Sequence, residues 1–133
     1  MIERLAVDAN AVIDYIRLDR EYSPKLDDAE KTIFIPLTVI GELFFGASRS
    51  SRSSHQQAVI ERVIKRWQPL IPDLETARVY GTVRADASRS AIAFTASKTN
   101  DLWIAALCIQ HNLPLLTNDG GFDRIPGLTV IHW

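Results

Sequence analysis

Asp8, Glu42, Asp101 and Asp119 are the residues of this chain best suited to chemistry. Asp8 follows the apolar run Leu5-Ala6-Val7, and Asp119 follows Leu115-Leu116-Thr117. Asp101 opens the apolar pattern from Leu102 to Ile109, and Glu42 is the only charge between Ile33 and Ser48. Carboxylates gathered in one place repel one another unless cations sit among them. Mg²⁺ and Mn²⁺ prefer hard oxygen ligands and keep several waters, so a few carboxylates suffice to hold them. Two such ions about 3.5–4 Å apart can clamp the attacking and leaving oxygens of an in-line phosphoryl displacement. That chemistry needs no His, Cys or Ser nucleophile, and His55, His111 and His132 suggest no triad or general-base pair. Each acid also has a bland use. Asp8 and Asp101 are favoured helix caps, Asp119 is a good turn residue in Thr117-Asn118-Asp119-Gly120-Gly121, and Glu42 fits a solvated stripe with Thr38 and Arg49. The conjunction of all four in one chain favours a divalent-metal site and phosphodiester chemistry.

The elements around the acids alternate. Glu3–Val7 reads as a buried strand and Asn10–Leu18 as a helix, capped by Asp8 or Asn10. Ser23-Pro24 is a helix entry, Thr32–Ile35 a strand ended by Pro36, and Thr38 the cap of a helix through about Ala47. Ser48–Ser54 has no apolar period and reads as a loop or frayed end. Val59, Ile60, Val63, Ile64 and Trp67 form one stripe of a helix from His55 to Trp67. Leu70-Ile71 is a very short strand, and Leu74–Ala87 an amphipathic helix turned inward on Leu74, Ala77, Tyr80 and Val83. Ser88–Ser97 fits a loop or a weak helix. Thr99 or Asn100 caps a helix through Gln110, Leu113–Leu116 is a strand, Asp119–Asp123 a turn, and Leu128–Ile131 a last strand. Alternation of this kind predicts a three-layer α/β/α fold with a mostly parallel central sheet. Such folds bind ligands beyond the carboxyl ends of their strands, where Asp8 and Asp119 fall and where a helix opening at Asp101 begins. No second domain or repeat is evident, so residues 1–133 read as one domain.

Composition agrees with a soluble globular chain: 133 residues, 47% hydrophobic, 23% charged. No apolar stretch is long enough to span a membrane and no signal peptide is visible, which predicts a cytoplasmic protein. The single Cys108 lies on an apolar helix face and reads as a buried thiol. A net charge of −1 exerts no global pull on nucleic acid. Between Ser48 and Trp67, however, Arg49, Arg52, Arg62, Lys65, Arg66 and His55 face only Glu61. An acidic, cation-filled centre with a basic rim suits a polyanion, although a solvated helix face would look the same.

Four segments carry a family resemblance in the right order. Val7-Asp8-Ala9-Asn10, Val39-Ile40-Gly41-Glu42-Leu43 with Phe45-Gly46-Ala47, Asn100-Asp101-Leu102-Trp103-Ile104-Ala105-Ala106, and Leu116-Thr117-Asn118-Asp119 with Phe122 and Ile125-Pro126-Gly127-Leu128 resemble the motifs of PIN-domain ribonucleases, and most closely those of VapC-type toxins of toxin–antitoxin pairs. The resemblance implies an endoribonuclease using one or two Mg²⁺ or Mn²⁺ ions held by Asp8, Glu42, Asp101 and Asp119. It implies that Asn10 and Thr117, with Asn118 a weaker member, hold ligands or water by hydrogen bonds. It also implies a homodimer and an inhibitory antitoxin whose C-terminal segment enters the groove. Ala9 departs from the Thr often found there in the family, which predicts a looser Asp8 and lower activity. Asp123 fits a surface or capping role. Arg49 and Arg52 are candidate RNA-phosphate contacts. The rival readings are a catalytically idle PIN-like module that binds RNA or protein, and a phosphatase or phospho-receiver on a similar sheet. The second rival lacks its residues: Asn10 stands where such a phosphatase needs a second Asp.

Overall fold

The computed structural model describes residues 3–17, 26, 31–89 and 96–132. Five strands, β1 (Glu3–Val7), β2 (Lys31–Pro36), β3 (Gln68–Leu70), β4 (Leu115–Leu116) and β5 (Val130–Ile131), form one sheet in the order β3-β2-β1-β4-β5. All four pairings are parallel. The described helices are α1 (Ala9–Ile16), α2 (Leu37–Ser48), α3 (Ser53–Arg66), α4 (Leu74–Arg89) and α5 (Ala96–Gln110), and they flank the sheet as a three-layer α/β/α fold. The helix entry expected at Ser23-Pro24 lies outside the described residues, as does most of Ser88–Ser97.

Parallel strands covered on both faces are continuously apolar rather than alternating. In β1, Leu5, Ala6 and Val7 are accordingly all buried. Helix α5 is buried over most of its surface: Leu102 and the run Ile104 to Cys108 are inaccessible, with Ile104, Leu107 and Cys108 at the centre of the core. Burial pushes the Cys108 thiol up to about 12, an inert group as expected. Asn112, at φ 54°, closes α5 in the left-handed conformation while the Leu113 N–H reaches back 2.8 Å to the Cys108 carbonyl.

Two expectations about helix starts, and one about the buried face of a helix, are corrected. Helix α2 begins at Leu37 directly from Pro36, so Thr38 lies inside its first turn and its hydroxyl is buried without a partner rather than capping. Helix α5 begins at Ala96, so Thr99 and Asn100 are internal and Asp101 occupies the second turn instead of opening the helix. In α4 a reciprocal cap sets the phase. The Asp73 N–H donates to the Thr76 hydroxyl (2.9 Å) and the Thr76 N–H to the Asp73 carboxylate (3.0 Å). Thr76 therefore points inward and is fully buried, while Leu74 and Ala77, expected inside, are exposed. Trp67 packs in the core on Tyr15, with ring centroids 5.0 Å apart, and half-buried Tyr80 stacks at 3.9 Å on Trp103.

The strand order places the chemistry. From central β1 the chain builds outward through β2 to β3, then returns to the other side of β1 for β4. That reversal opens a crevice beyond the carboxyl ends of β1 and β4, the usual ligand position in an open parallel sheet. Val7 is in register with Leu116, and the Asp8 N–H donates to the Leu116 carbonyl at 3.1 Å. Asp8 and Thr117 are thus forced side by side.

Candidate active site

Asp8 leaves β1 with extended backbone (φ −84°, ψ 167°) and caps α1, its Oδ1 accepting the Ala9 N–H at 2.8 Å. Its Oδ2 accepts the Thr117 hydroxyl at 2.9 Å. That hydroxyl also accepts the Asp119 N–H at 3.0 Å, so one fully buried Thr ties the ends of β1 and β4 together. The Asn10 amide lies 3.5 Å from both Asp8 Oδ2 and Thr117 Oγ1, and its Oδ1 accepts the Asn118 N–H at 3.4 Å. Asn10 and Thr117 thus both lie within hydrogen-bonding distance of Asp8. Asn118 takes part through its backbone, with its side chain exposed. Asp119 caps a 3-10 turn (Gly120–Arg124), its Oδ1 accepting the Gly121 N–H at 2.9 Å.

Glu42 and Asp101 come from the flanking helices. Glu42, half-buried on α2, is pushed up to about 7 by burial, then by repulsion from Asp8 and Asp101. Asp101 is pushed up to about 6 by burial, then by Asp8 and Asp119, with Lys98 opposing. Burial also raises Asp8, with Asp119 adding to the rise and the Thr117 and Ala9 bonds opposing it. The expected acids therefore form one electrostatic set, although Asp101 arrives from mid-helix. Among the described residues, no three His, Cys, Asp or Glu side chains stand close enough together to ligate a single ion. The donor set nevertheless fits a hydrated hard cation, which one or two carboxylates plus water can hold.

Sequence reasoning missed two neighbours. Lys98, one helical turn before Asp101, carries the positive charge felt at that acid. A β-carbon at Gly121 would sit 2.6 Å from Lys98 Nζ and 3.1 Å from Asp119 Oδ1, so any side chain there would have to displace the Lys98 ammonium. The i,i+3 spacing of Lys98 and Asp101 was the available signal. His132 is the other. Its Nδ1 lies 2.6 Å from the Thr117 carbonyl and its Nε2 3.0 Å from Asp123 Oδ1. Asp123 is exposed, in the surface role expected of it.

Arg49 and Arg52 are both exposed. Arg49 lies 5.4 Å over the ring of Phe45, itself 63% exposed. Arg52 shares with Glu42 an open groove of about 450 Å³ walled by Ile13, Ile16, Leu43 and Val59. Among the described residues no helix is long and apolar enough to cross a membrane.

Residues 5–128 match the model of the PIN domain. The chain is 29% identical over 103 residues to ribonuclease VapC2 of Rickettsia felis, covering 77% of this chain and 75% of that one. It is 32% identical over 93 residues to the tRNA(fMet)-specific endonuclease VapC of Salmonella typhimurium, covering 69% and 68%. Its fold superposes on VapBC2 from Rickettsia felis, solved bound to a promoter DNA fragment, with a TM-score of 0.89, 26% identity and 98% of each chain covered. DNA-bound VapBC from Salmonella typhimurium gives a TM-score of 0.85 at 26% identity, covering 100% and 99%. The acid-lined crevice at the β1–β4 switch point and these matches together establish that the chain belongs to the PIN-domain family.

Proposed function

We propose that the chain is a Mg²⁺- or Mn²⁺-dependent endoribonuclease and the toxin of a toxin–antitoxin pair, with Asp8, Glu42, Asp101 and Asp119 holding one or two ions. The observation that carries this reading is the convergence of the acids: the Thr117 hydroxyl ties Asp119 to Asp8, and Glu42 and Asp101 stand half-buried within reach of the Asp8 charge. A fold that keeps carboxylates in mutual repulsion binds cations by relieving it, and an all-oxygen set selects a hard one. When bound, such an ion acidifies water and neutralises charge at a phosphoryl group. The chain's own part is placement. Ala9 N–H and the Thr117 hydroxyl hold Asp8 in one orientation, and the Asp119 N–H on the same hydroxyl fixes the fourth acid relative to it. Lys98 leaves a positive charge beside Asp101, where a phosphate oxygen can meet it.

The substrate class is supported by relatives named a ribonuclease and a tRNA(fMet)-specific endonuclease. Splayed single-stranded RNA suits the rim, because exposed Phe45 offers a stacking face and Arg49 and Arg52 offer phosphate contacts. The VapBC neighbours support an antitoxin partner, whose inhibitory segment we assign to the groove beside Glu42; a homodimer as the toxin's own assembly is our further proposal from the family resemblance. Water as the nucleophile makes the 2′-OH chemically unnecessary, so RNA fragments should carry a 5′-phosphate and a 3′-hydroxyl. End-group analysis of cleaved RNA tests this, and 2′,3′-cyclic phosphate ends would overturn it.

A further inference from the structure

The ring of His132 meets two groups that can only accept. Its Nδ1 lies 2.6 Å from the Thr117 carbonyl oxygen, and its Nε2 lies 3.0 and 3.2 Å from the two Asp123 carboxylate oxygens. A neutral imidazole has one N–H and leaves its other nitrogen as a lone-pair acceptor. Facing two acceptors, it would set a lone pair against an oxygen on one side. Both contacts are satisfied together only when both nitrogens carry a proton, as in the imidazolium. The charged group against the ring is Asp123 of the 3-10 turn, while the β4 side presents only the Thr117 carbonyl.

Those two acceptors are the ends of one short segment. Residues 117–123 contain the Thr117 hydroxyl that holds Asp8, the Asp119 N–H that rests on that hydroxyl, and the Asp119 carboxylate. The Thr117 N–H is already fixed by the Ile131 carbonyl of β5 at 2.9 Å. The ring of the next residue then grips the carbonyl of the same Thr117 and reaches across to the far end of the segment. We propose that His132, as a doubly protonated imidazolium paired with Asp123, is a positioning residue that clamps residues 117–123 and so sets Thr117 against Asp8 and Asp119. This role deepens the nuclease reading above and rests on it for its catalytic consequence, while the proton count stands on the hydrogen bonds alone. Both contacts also raise the ring's proton affinity above its ordinary value of 6.5, the Asp123 bond most. The clamp is therefore fully present below pH 6.5 and is lost as pH rises through the raised value.

Asp123→Asn isolates the proton. Its amide N–H can donate to an unprotonated Nε2 while Nδ1–H stays on Thr117, so a neutral ring closes the same clamp. The experiment follows the ring nitrogens and the Asp119 amide by ¹⁵N NMR across pH, beside RNA cleavage by wild type, His132→Ala and Asp123→Asn with Mn²⁺. The expected ring midpoint in wild type lies above 6.5, with two N–H-type nitrogens below it and the Asp119 amide shifting at the same pH. In Asp123→Asn the midpoint should fall and that pH-linked amide shift should vanish. Cleavage by His132→Ala should drop several-fold below the ring's midpoint and converge on wild type above it. Wild type should show a descending limb at the ring's midpoint that Asp123→Asn lacks. A wild-type ring that is neutral at pH 6, or an Asp119 amide indifferent to its titration, would overturn the clamp. Coupled NMR titration with no cleavage by any variant would leave the clamp standing and count against the nuclease reading instead.

Discussion

Thr117 carries more of the site than its type suggests. Its hydroxyl is fully buried, donates to Asp8 Oδ2 and accepts from the Asp119 N–H. Thr117→Val keeps the shape and removes both bonds, leaving a buried carboxylate oxygen and a backbone N–H short of partners. Loss of such a bond costs about 1–3 kcal/mol, so the urea midpoint should fall accordingly. RNA cleavage should fall with it, because Asp8 then keeps only the Ala9 N–H and the long 3.5 Å contact from the Asn10 amide to orient it. Unchanged urea unfolding in Thr117→Val would mean that water replaces the hydroxyl without loss. The acids themselves were legible because Asp8 and Asp119 each follow a short apolar run that could only be a strand. Lys98 and His132 were not. Lys98 approaches Asp119 across Gly121, a meeting of a helix and a turn that no local pattern encodes. His132 partners Asp123 and Thr117, separated from it by 9 and 15 residues.

At the level of elements, apolar strands were easier to place than helix starts. Glu3–Val7 was placed residue for residue, because three consecutive apolars running straight into Asp8 and a helix pattern admit little else. The start of α5 was misplaced because Ser88–Ser97 has no apolar period and Asn100-Asp101 resembles a cap. The helix simply begins earlier, at Ala96. In α4 only the first turn was misread from hydropathy: Val83 is buried and Tyr80 half-buried as expected, but the polar Asp73–Thr76 cap turns Thr76 inward in place of the apolar Leu74 and Ala77. The same cap reaches the neighbouring helix: the Thr76 hydroxyl bonds the Gln110 side chain, and the Gln110 amide donates to Asp73 at 2.9 Å. Thr76→Val should therefore loosen the α4–α5 contact and cost about 1–3 kcal/mol in urea unfolding. Its metal-saturated cleavage rate should stay near wild type, because the network lies away from the acids. A rate loss as large as that of Thr117→Val would contradict this separation of stability from chemistry.

For the whole molecule, the acid set links folding to pH and to cations. Glu42 and Asp101 have folded-state values of about 7 and 6 against ordinary values of 4.5 and 3.8. Between roughly pH 4 and 7 the folded protein binds more protons than the unfolded chain, so unfolding free energy falls as pH rises. That contribution is fully present below the unfolded values and gone once pH passes about 7. Metal-free melting temperatures should decline across this window, less steeply in Glu42→Gln, and added Mn²⁺ should restore stability most at its upper end. A flat profile indifferent to Mn²⁺ would mean that the carboxylates are not held against one another in solution. The most direct measurement of the central claim is cleavage of a mixed RNA pool by the purified chain with Mg²⁺, with Mn²⁺ and with EDTA, beside Asp8→Asn and Asp101→Asn. The account predicts cutting that needs the ion and is abolished in both variants. Cutting that persists in EDTA or in either variant, or its absence from folded, antitoxin-free protein in both metals, would contradict it.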